Sequence, residues 1–134
     1  MLASYGRLSP FRPLADDDGT DLLVADKLSG GVVHVQVKAR YLSEADAPGY
    51  VQFDVRRATF RIRLDSFLLA AIIDPANGAL WRAWLIPTAE LPGVSIVKPD
   101  KYAITPNPSL ISRDRYASFR CENMQTLVGR LLAE

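Results

Sequence analysis

The most regular hydrophobic pattern of the chain lies in residues 22–37, where two short apolar segments flank a glycine-containing turn. Residues 22–25 and 32–37 have the length and the β-branched content that are typical of strands. The turn between them ends in Gly30 and Gly31. The pattern therefore predicts an antiparallel hairpin.

The register of this hairpin divides its side chains between two faces. If Asp26 and Gly31 close a four-residue loop, the numbers of paired residues sum to 57 and Asp21 lies opposite Gln36. A slip by one residue would mix the two faces. One face is then wholly apolar and is predicted to be covered by a helix or a second layer; it carries Leu22, Val24, Val33, Val35 and Val37. The other face gathers Asp21, His34, Gln36 and Lys38.

Further strands are predicted downstream. Residues 51–55 and 60–64 alternate apolar with polar side chains, as half-exposed strands do. Residues 67–73 are apolar throughout, which fits a buried strand or a buried helical turn. The turn signal at 74–78 and the apolar run 80–86 favour a hairpin of two buried strands. One helical turn is expected at 88–91, and short strands are expected at 95–97 and 102–105.

The two ends of the chain differ in helical character. Five apolar residues near the C-terminus follow helical spacing and predict an amphipathic helix from about Glu122; they are Met124, Leu127, Val128, Leu131 and Leu132. Residues 1–17 contain Gly6, Pro10 and Pro13, which argue against a long helix there. Either this segment is irregular, or an upstream helix is missing from a chain that begins at Met1.

Length and composition limit the class of protein. The 134 residues suffice for one domain, residues 1–134, with its own core. No apolar run approaches the roughly 20 residues that cross a bilayer, so a cytoplasmic location is expected. The single Cys121 excludes an intramolecular disulfide, and the single His34 excludes an imidazole-rich metal site. On the polar face His34 is either a structural or rim residue or the one available histidine base.

The polar face of the hairpin carries the groups that metal-assisted phosphate chemistry needs. The Asp21 carboxylate and the Gln36 amide, on adjacent strands, are oxygen ligands that suit Mg²⁺. Lys38, two residues after Gln36 on the same face, can place an ammonium beside a bound water and a phosphate. These groups predict phosphodiester hydrolysis through metal activation of water and electrostatic stabilisation of the transition state.

The same residues resemble the core motif of the PD-(D/E)xK nuclease superfamily, which includes restriction endonucleases and archaeal Holliday junction resolvases. Residues 18–21, Asp-Gly-Thr-Asp, are followed by Gln36-Val37-Lys38. This is similar to small, uncharacterised prokaryotic members in which Gln replaces the second acidic residue. The resemblance implies an α/β, restriction-endonuclease-like fold with a mixed central sheet and the C-terminal helix. The N-terminal helix of the family is missing from the predicted elements.

The resemblance also implies a cofactor, a partner and residue roles. The cofactor would be Mg²⁺ or Mn²⁺, held by Asp21, Gln36 and the backbone carbonyl of Val37, and the partner would be DNA. Lys38 would orient the attacking water or stabilise the transition state. Family members usually open with a helix whose Glu completes the metal site, and no such helix is predicted here. Residues 16–18, all Asp, precede the motif as candidate substitutes.

Basic residues are concentrated next to the motif. The net charge is only +1, but residues 38–63 hold six Lys or Arg against three acids, a local charge of +3. Phosphate contacts supply most of the affinity that does not depend on DNA sequence. Five side chains are therefore predicted to bind nucleic acid, although a solvated strand face would show the same pattern: Arg40, Arg56, Arg57, Arg61 and Arg63.

Three functional hypotheses follow. The first is a Mg²⁺-dependent deoxyribonuclease, with either a complete or an incomplete site. The second is a catalytically inactive nuclease-like module that binds nucleic acid or protein. The third is a structural domain that forms a homodimer through the apolar strands of residues 67–86.

Overall fold

A computed structural model describes residues 8–11, 22–42 and 51–133 of the chain. Within these ranges, nine strands and two α-helices are arranged in the order β1 to β6, α1, β7 to β9, α2. The strands are β1 Leu8–Phe11, β2 Leu22–Asp26, β3 Val32–Tyr41, β4 Phe53–Arg56, β5 Ser66–Ile73, β6 Leu80–Pro87, β7 Ile96–Val97, β8 Lys101–Ile104 and β9 Arg120–Cys121. The helices are α1 Leu91–Val94 and α2 Met124–Ala133, and a short 3-10 helix, Thr88–Glu90, precedes α1.

The central sheet contains six strands in the order β1-β2-β3-β5-β6-β9. β3 and β5 run parallel, whereas the other neighbours run antiparallel, so the sheet is mixed, as predicted. The crossover from β3 to β5 contains β4, which belongs to a second, three-stranded sheet ordered β4-β8-β7. The predicted α/β class, with a mixed sheet and a C-terminal helix, is confirmed.

The β2–β3 hairpin has the predicted register. Leu22 pairs with Val35 and Val24 with Val33, so paired numbers sum to 57. The backbone N–H of Asp26 donates to the carbonyl of Gly31 at 2.8 Å. Gly30 has a φ of +75°, a conformation that side chains with a Cβ rarely adopt, which explains the glycine at this place in the turn. The expected pair of Asp21 with Gln36 involves a residue outside the described ranges.

The apolar face of the hairpin packs against the C-terminal helix, as predicted. Val24 and Val35 are 2% and 1% exposed. They share a core with Leu127, Val128 and Leu131 of α2. Burying the apolar stripe of α2 here stabilises both elements, since each buried aliphatic side chain contributes roughly 1.5–3 kcal/mol. The helix begins two residues after the predicted start.

The opposite face of the central sheet packs against the second sheet. Leu68 and Ile72 of β5 share a core with Phe53 and Val55 of β4 and with Trp84 of β6. The strand alternates as predicted in β4, where Phe53 and Val55 are buried and the intervening side chains are exposed. The apolar run 67–73 and the run 80–86 form the predicted hairpin of strands, β5 and β6.

The predicted strand over residues 60–64 is wrong. The backbone N–H of Phe60 donates to the carbonyl of Arg57 at 3.4 Å, which closes a turn instead of a ladder. Phe60 is buried at 8% exposure, but Ile62 and Leu64 are 57% and 103% exposed. The alternation therefore does not correspond to a buried face, because no strand pairs with this segment within the described ranges.

The smaller predicted elements are found close to their expected positions. The helical turn expected at 88–91 is the 3-10 helix, which continues into α1. The two short strands expected after it are β7 and β8, which pair antiparallel. None of the helices in the described ranges has the length and hydrophobicity of a membrane span. Most of residues 1–17, for which an irregular start or a missing helix was expected, lies outside the described residues.

Candidate functional site

The polar face of β3 presents Gln36 and Lys38 beside small or buried residues of β5. The parallel register places Gln36 beside Leu68 and Lys38 beside Ala70. Both β5 side chains are 0% exposed, whereas Gln36 and Lys38 are half-buried. Alternate residues of a strand share one face, so the Gln36 amide and the Lys38 ammonium lie on the side of the central sheet that faces the core between the two sheets.

The structure brings together only part of the predicted site. Gln36 and Lys38 share a face, and in the described ranges no hydrogen bond or ion pair occupies either side chain. The Val37 side chain lies on the other face and packs against the core under α2. Asp21, the predicted carboxylate ligand, lies outside the described residues.

His34 lies at the N-terminal end of the polar face, close to Asp65. Its backbone N–H donates to the Asp65 carbonyl at 2.8 Å. The imidazole Nε2 is 3.9 Å from Asp65 Oδ2, too far for a hydrogen bond, and the side chain is 23% exposed. His34 pairs with Ser66, the first residue of β5, and Lys38 lies four residues further along β3. This distance from Lys38 fits the structural or rim role of His34 better than that of a base.

Two oxygen atoms that could bind a metal ion lie on and next to this face. Within the described ranges no three His, Cys, Asp or Glu side chains come together in a way that would hold a metal ion. The Gln36 amide oxygen and the Val37 carbonyl are nevertheless donors of the kind that Mg²⁺ and Mn²⁺ accept. These donors fit a hard cation, and the carboxylate of the predicted set is that of Asp21.

The second sheet begins beside the far end of β3. The Arg40 guanidinium donates to the backbone carbonyl of Gln52 at 3.2 Å, just before β4. After β4 the chain returns to Ser66, the first residue of β5, which pairs with His34 near the start of β3. The segment from Gln52 to Ser66 therefore begins near the far end of β3 and ends near its start.

The five predicted nucleic-acid-binding arginines do not form one cluster. Arg40 holds Gln52, and Arg61 donates to the carbonyls of its own turn at 3.1 and 3.0 Å. Arg63 follows in the loop that replaces the predicted strand, where its backbone N–H donates to the Thr88 hydroxyl. Arg56 and Arg57, in contrast, line a common cleft.

That cleft contains charged residues that the sequence analysis missed. It is lined by residues of β4 and β8 and of the turns beside them, among them Lys101 and Asp54. Lys101 Nζ lies 3.1 Å from Asp54 Oδ2. The signal in the sequence was the Lys-Pro-Asp-Lys run at 98–101, but only the pairing of β4 with β8 brings it next to residues 54–57.

The local charges perturb one carboxylate in this cleft. Gln52 Nε2 donates to Asp54 Oδ1 at 2.9 Å, and Lys101 donates to the other oxygen. The hydrogen bond from Gln52, together with the bond and charge of Lys101, lowers the pKa of Asp54 below its ordinary value of 3.8, although burial opposes the shift. Asp54 is therefore a carboxylate at neutral pH and partly neutralises Lys101.

Comparison with solved structures identifies the fold. The chain is similar to a bacterial homing endonuclease, I-Ssp6803I, with a TM-score of 0.58 and 19% sequence identity; the match covers 99% of this chain and 83% of the other. No protein-family model matches the chain, and no curated protein is significantly similar in sequence. The similarity in three dimensions shows that the chain shares the α/β fold of that endonuclease.

Proposed function

We propose that the protein hydrolyses phosphodiester bonds of DNA with a PD-(D/E)xK-type site formed by Asp21, Gln36 and Lys38. The observation that carries the proposal is the β2–β3 register, because it separates the apolar core face from a face that holds Gln36 and Lys38. Asp21 precedes Leu22, whose partner Val35 precedes Gln36. The endonuclease with the same fold supports cleavage of nucleic acid as the reaction.

Mg²⁺ or Mn²⁺ is the proposed cofactor. The Asp21 carboxylate, the Gln36 amide oxygen and the Val37 carbonyl would hold it, and Mg²⁺ sites often keep several waters besides one or two carboxylates. A bound cation of this kind lowers the pKa of a coordinated water and stabilises charge on the phosphate. Lys38, beside the 0%-exposed Ala70, donates from its ammonium to the water or to a phosphate oxygen.

The experiment is a cleavage assay with plasmid, single-stranded and branched DNA in the presence of Mn²⁺. Asp21→Ala and Lys38→Ala are each expected to lower the cleavage rate by roughly 100-fold or more, since each removes a group that acts on the transition state. Lys27→Ala, an exposed lysine in the turn of the same hairpin, is the matched control and should cleave like the wild type. Equal rates for all four proteins would contradict the proposal.

Metal binding provides a second measurement that does not depend on turnover. In calorimetry with Mn²⁺, Asp21→Asn should weaken binding, whereas Gln36→Glu should strengthen it because it adds a carboxylate to the ligand set. If Mn²⁺ binding is unaffected by both variants and no substrate is cut, the chain is a nuclease-like module without this catalytic site.

A further inference from the structure

An open cleft at one end of the second sheet collects basic side chains from two paired strands. Arg56 of β4 lies opposite Lys101 of β8, so their Cβ atoms are about 4.5–5.5 Å apart. Arg57 follows in the adjoining turn, and the cleft that the three residues line has a volume of about 550 Å³. Arg56 and Arg57 are exposed and the Lys101 side chain is 30% exposed, so all three are accessible.

One of these cations is held in place by the opposite hairpin. The Arg57 guanidinium donates to the Lys98 carbonyl at 3.0 Å and lies 5.4 Å from the centre of the Tyr102 ring. Both contacts fix its direction, and a guanidinium has five N–H donors, so further donors remain for an anion. A preorganised arginine loses less conformational freedom on binding than a mobile one.

The charges of the cleft are only partly compensated. Opposed like charges on neighbouring strands destabilise a sheet, which applies to Arg56 and Lys101. Asp54 neutralises Lys101 through the 3.1 Å contact, and Asp100 also lines the cleft, so three cations share it with two acids. An anion placed between the strands would relieve this repulsion and compete with Asp54 for the ammonium.

We propose that this cleft binds a backbone phosphate of duplex DNA at a distance from the phosphate that is cut. The choice of DNA rests on the function proposed above, whereas the phosphate chemistry follows from the three cations. Strand β4 connects the proposed catalytic face of β3 with the cleft, since Arg40 of β3 bonds to Gln52 just before β4 and the end of β4 lines the cleft. The contact positions the duplex and adds affinity that is independent of sequence.

The test measures binding of a fluorescent duplex by anisotropy in EDTA, over a series of salt concentrations. Arg56→Gln and Lys101→Gln should each reduce the slope of log K against log salt by about 0.9, the value for one lost phosphate contact. The same relation gives roughly eightfold weaker binding at about 0.1 M salt. The loss should be equal for duplexes of unrelated sequence.

Two further variants exclude a general effect of charge or of folding. Arg113→Gln makes the same change of charge at an exposed residue outside the cleft and should bind like the wild type. Asp54→Asn keeps a side chain that can bond to Gln52 but frees Lys101, and should therefore strengthen binding several-fold. A disrupted cleft would weaken binding in all cleft variants, so the opposite sign for Asp54→Asn distinguishes binding from misfolding.

The proposal is overturned if Arg56→Gln and Lys101→Gln leave both affinity and slope at wild-type values, or if Arg113→Gln lowers them equally. It is also overturned if the wild type does not bind duplex DNA or if Asp54→Asn weakens binding. The phosphate-binding proposal and the nuclease proposal can be rejected independently. If the wild type binds DNA and the cleft variants weaken binding as expected, but no cleavage occurs in Mn²⁺, the catalytic site is rejected and the phosphate-binding cleft is retained. If the wild type cleaves DNA in a metal-dependent way but the cleft variants bind like the wild type, the cleft is rejected and the catalytic site is retained.

Discussion

The hydroxyl oxygen of Thr88 lies 2.6 Å from the hydroxyl oxygen of Ser66, with both residues buried. The same Thr88 oxygen accepts the backbone N–H of Arg63 at 3.1 Å. These bonds join the end of β6 to the segment that enters β5. They hold residues 61–65 as a loop at the place where the alternating sequence predicted a strand.

Thr88→Val tests this connection because valine keeps the shape and removes the oxygen. The variant removes the acceptor of the Arg63 N–H and one of the two hydrogen bonds of the Ser66 hydroxyl, which keeps its bond to the Arg63 carbonyl. We therefore expect the free energy of unfolding to fall by about 1–3 kcal/mol. Ser66→Ala, which leaves the bond from Arg63 to Thr88 intact, should have a smaller effect. Urea denaturation measures both, and a Thr88→Val protein as stable as the wild type would show that the bonds are dispensable.

Truncation of two leucines four residues apart should have very different effects on stability. Leu68 is 0% exposed in the core between the two sheets, and Leu64 is 103% exposed in the preceding loop. Leu68→Ala removes a buried side chain and leaves a cavity, so about 2–5 kcal/mol of stability should be lost. Leu64→Ala should change stability by no more than about 0.5 kcal/mol. Similar urea midpoints for the two variants would contradict the placement of residues 60–64 outside the sheet.

The sequence predicts the hairpin well because two signals agree there. The period-two pattern assigns each side chain to a face, and a turn closed by Gly31 leaves one register that keeps the apolar side chains together. The pairs of Leu22 with Val35 and Val24 with Val33 follow from these constraints alone. The same local logic fails at Ile62 and Leu64, since alternation predicts a strand only where a partner strand is available.

The candidate functional residues likewise fall into those that local sequence spacing places and those that only long-range strand pairing brings together. Gln36 and Lys38 are on one face because they are two residues apart in a strand, which the sequence determines. The cleft depends on the pair of Arg56 with Lys101, residues that are far apart in the chain and meet only through the β4–β8 ladder. No local pattern predicts that pair. The count of basic residues in 38–63 therefore included Arg61 and Arg63, which lie in a loop, and left out Lys101.

Cys121 should make stability depend on pH in the alkaline range. Burial raises the pKa of its thiol above the ordinary value of 9.0, with opposing effects from Arg130 and a backbone hydrogen bond involving Leu85. Below about pH 9 the thiol is protonated in both the folded and the unfolded chain, so it does not lower the stability. As the pH rises further, the thiol of the unfolded chain loses its proton first, so the free energy of unfolding falls by at most about 1.4 kcal/mol per pH unit. In urea denaturation from neutral pH to about pH 10, Cys121→Ala should be less stable at neutral pH, because a buried thiol is truncated, but should lose less stability than the wild type as pH rises. Parallel pH profiles for the two proteins would mean that the folded thiol ionises as readily as the unfolded one.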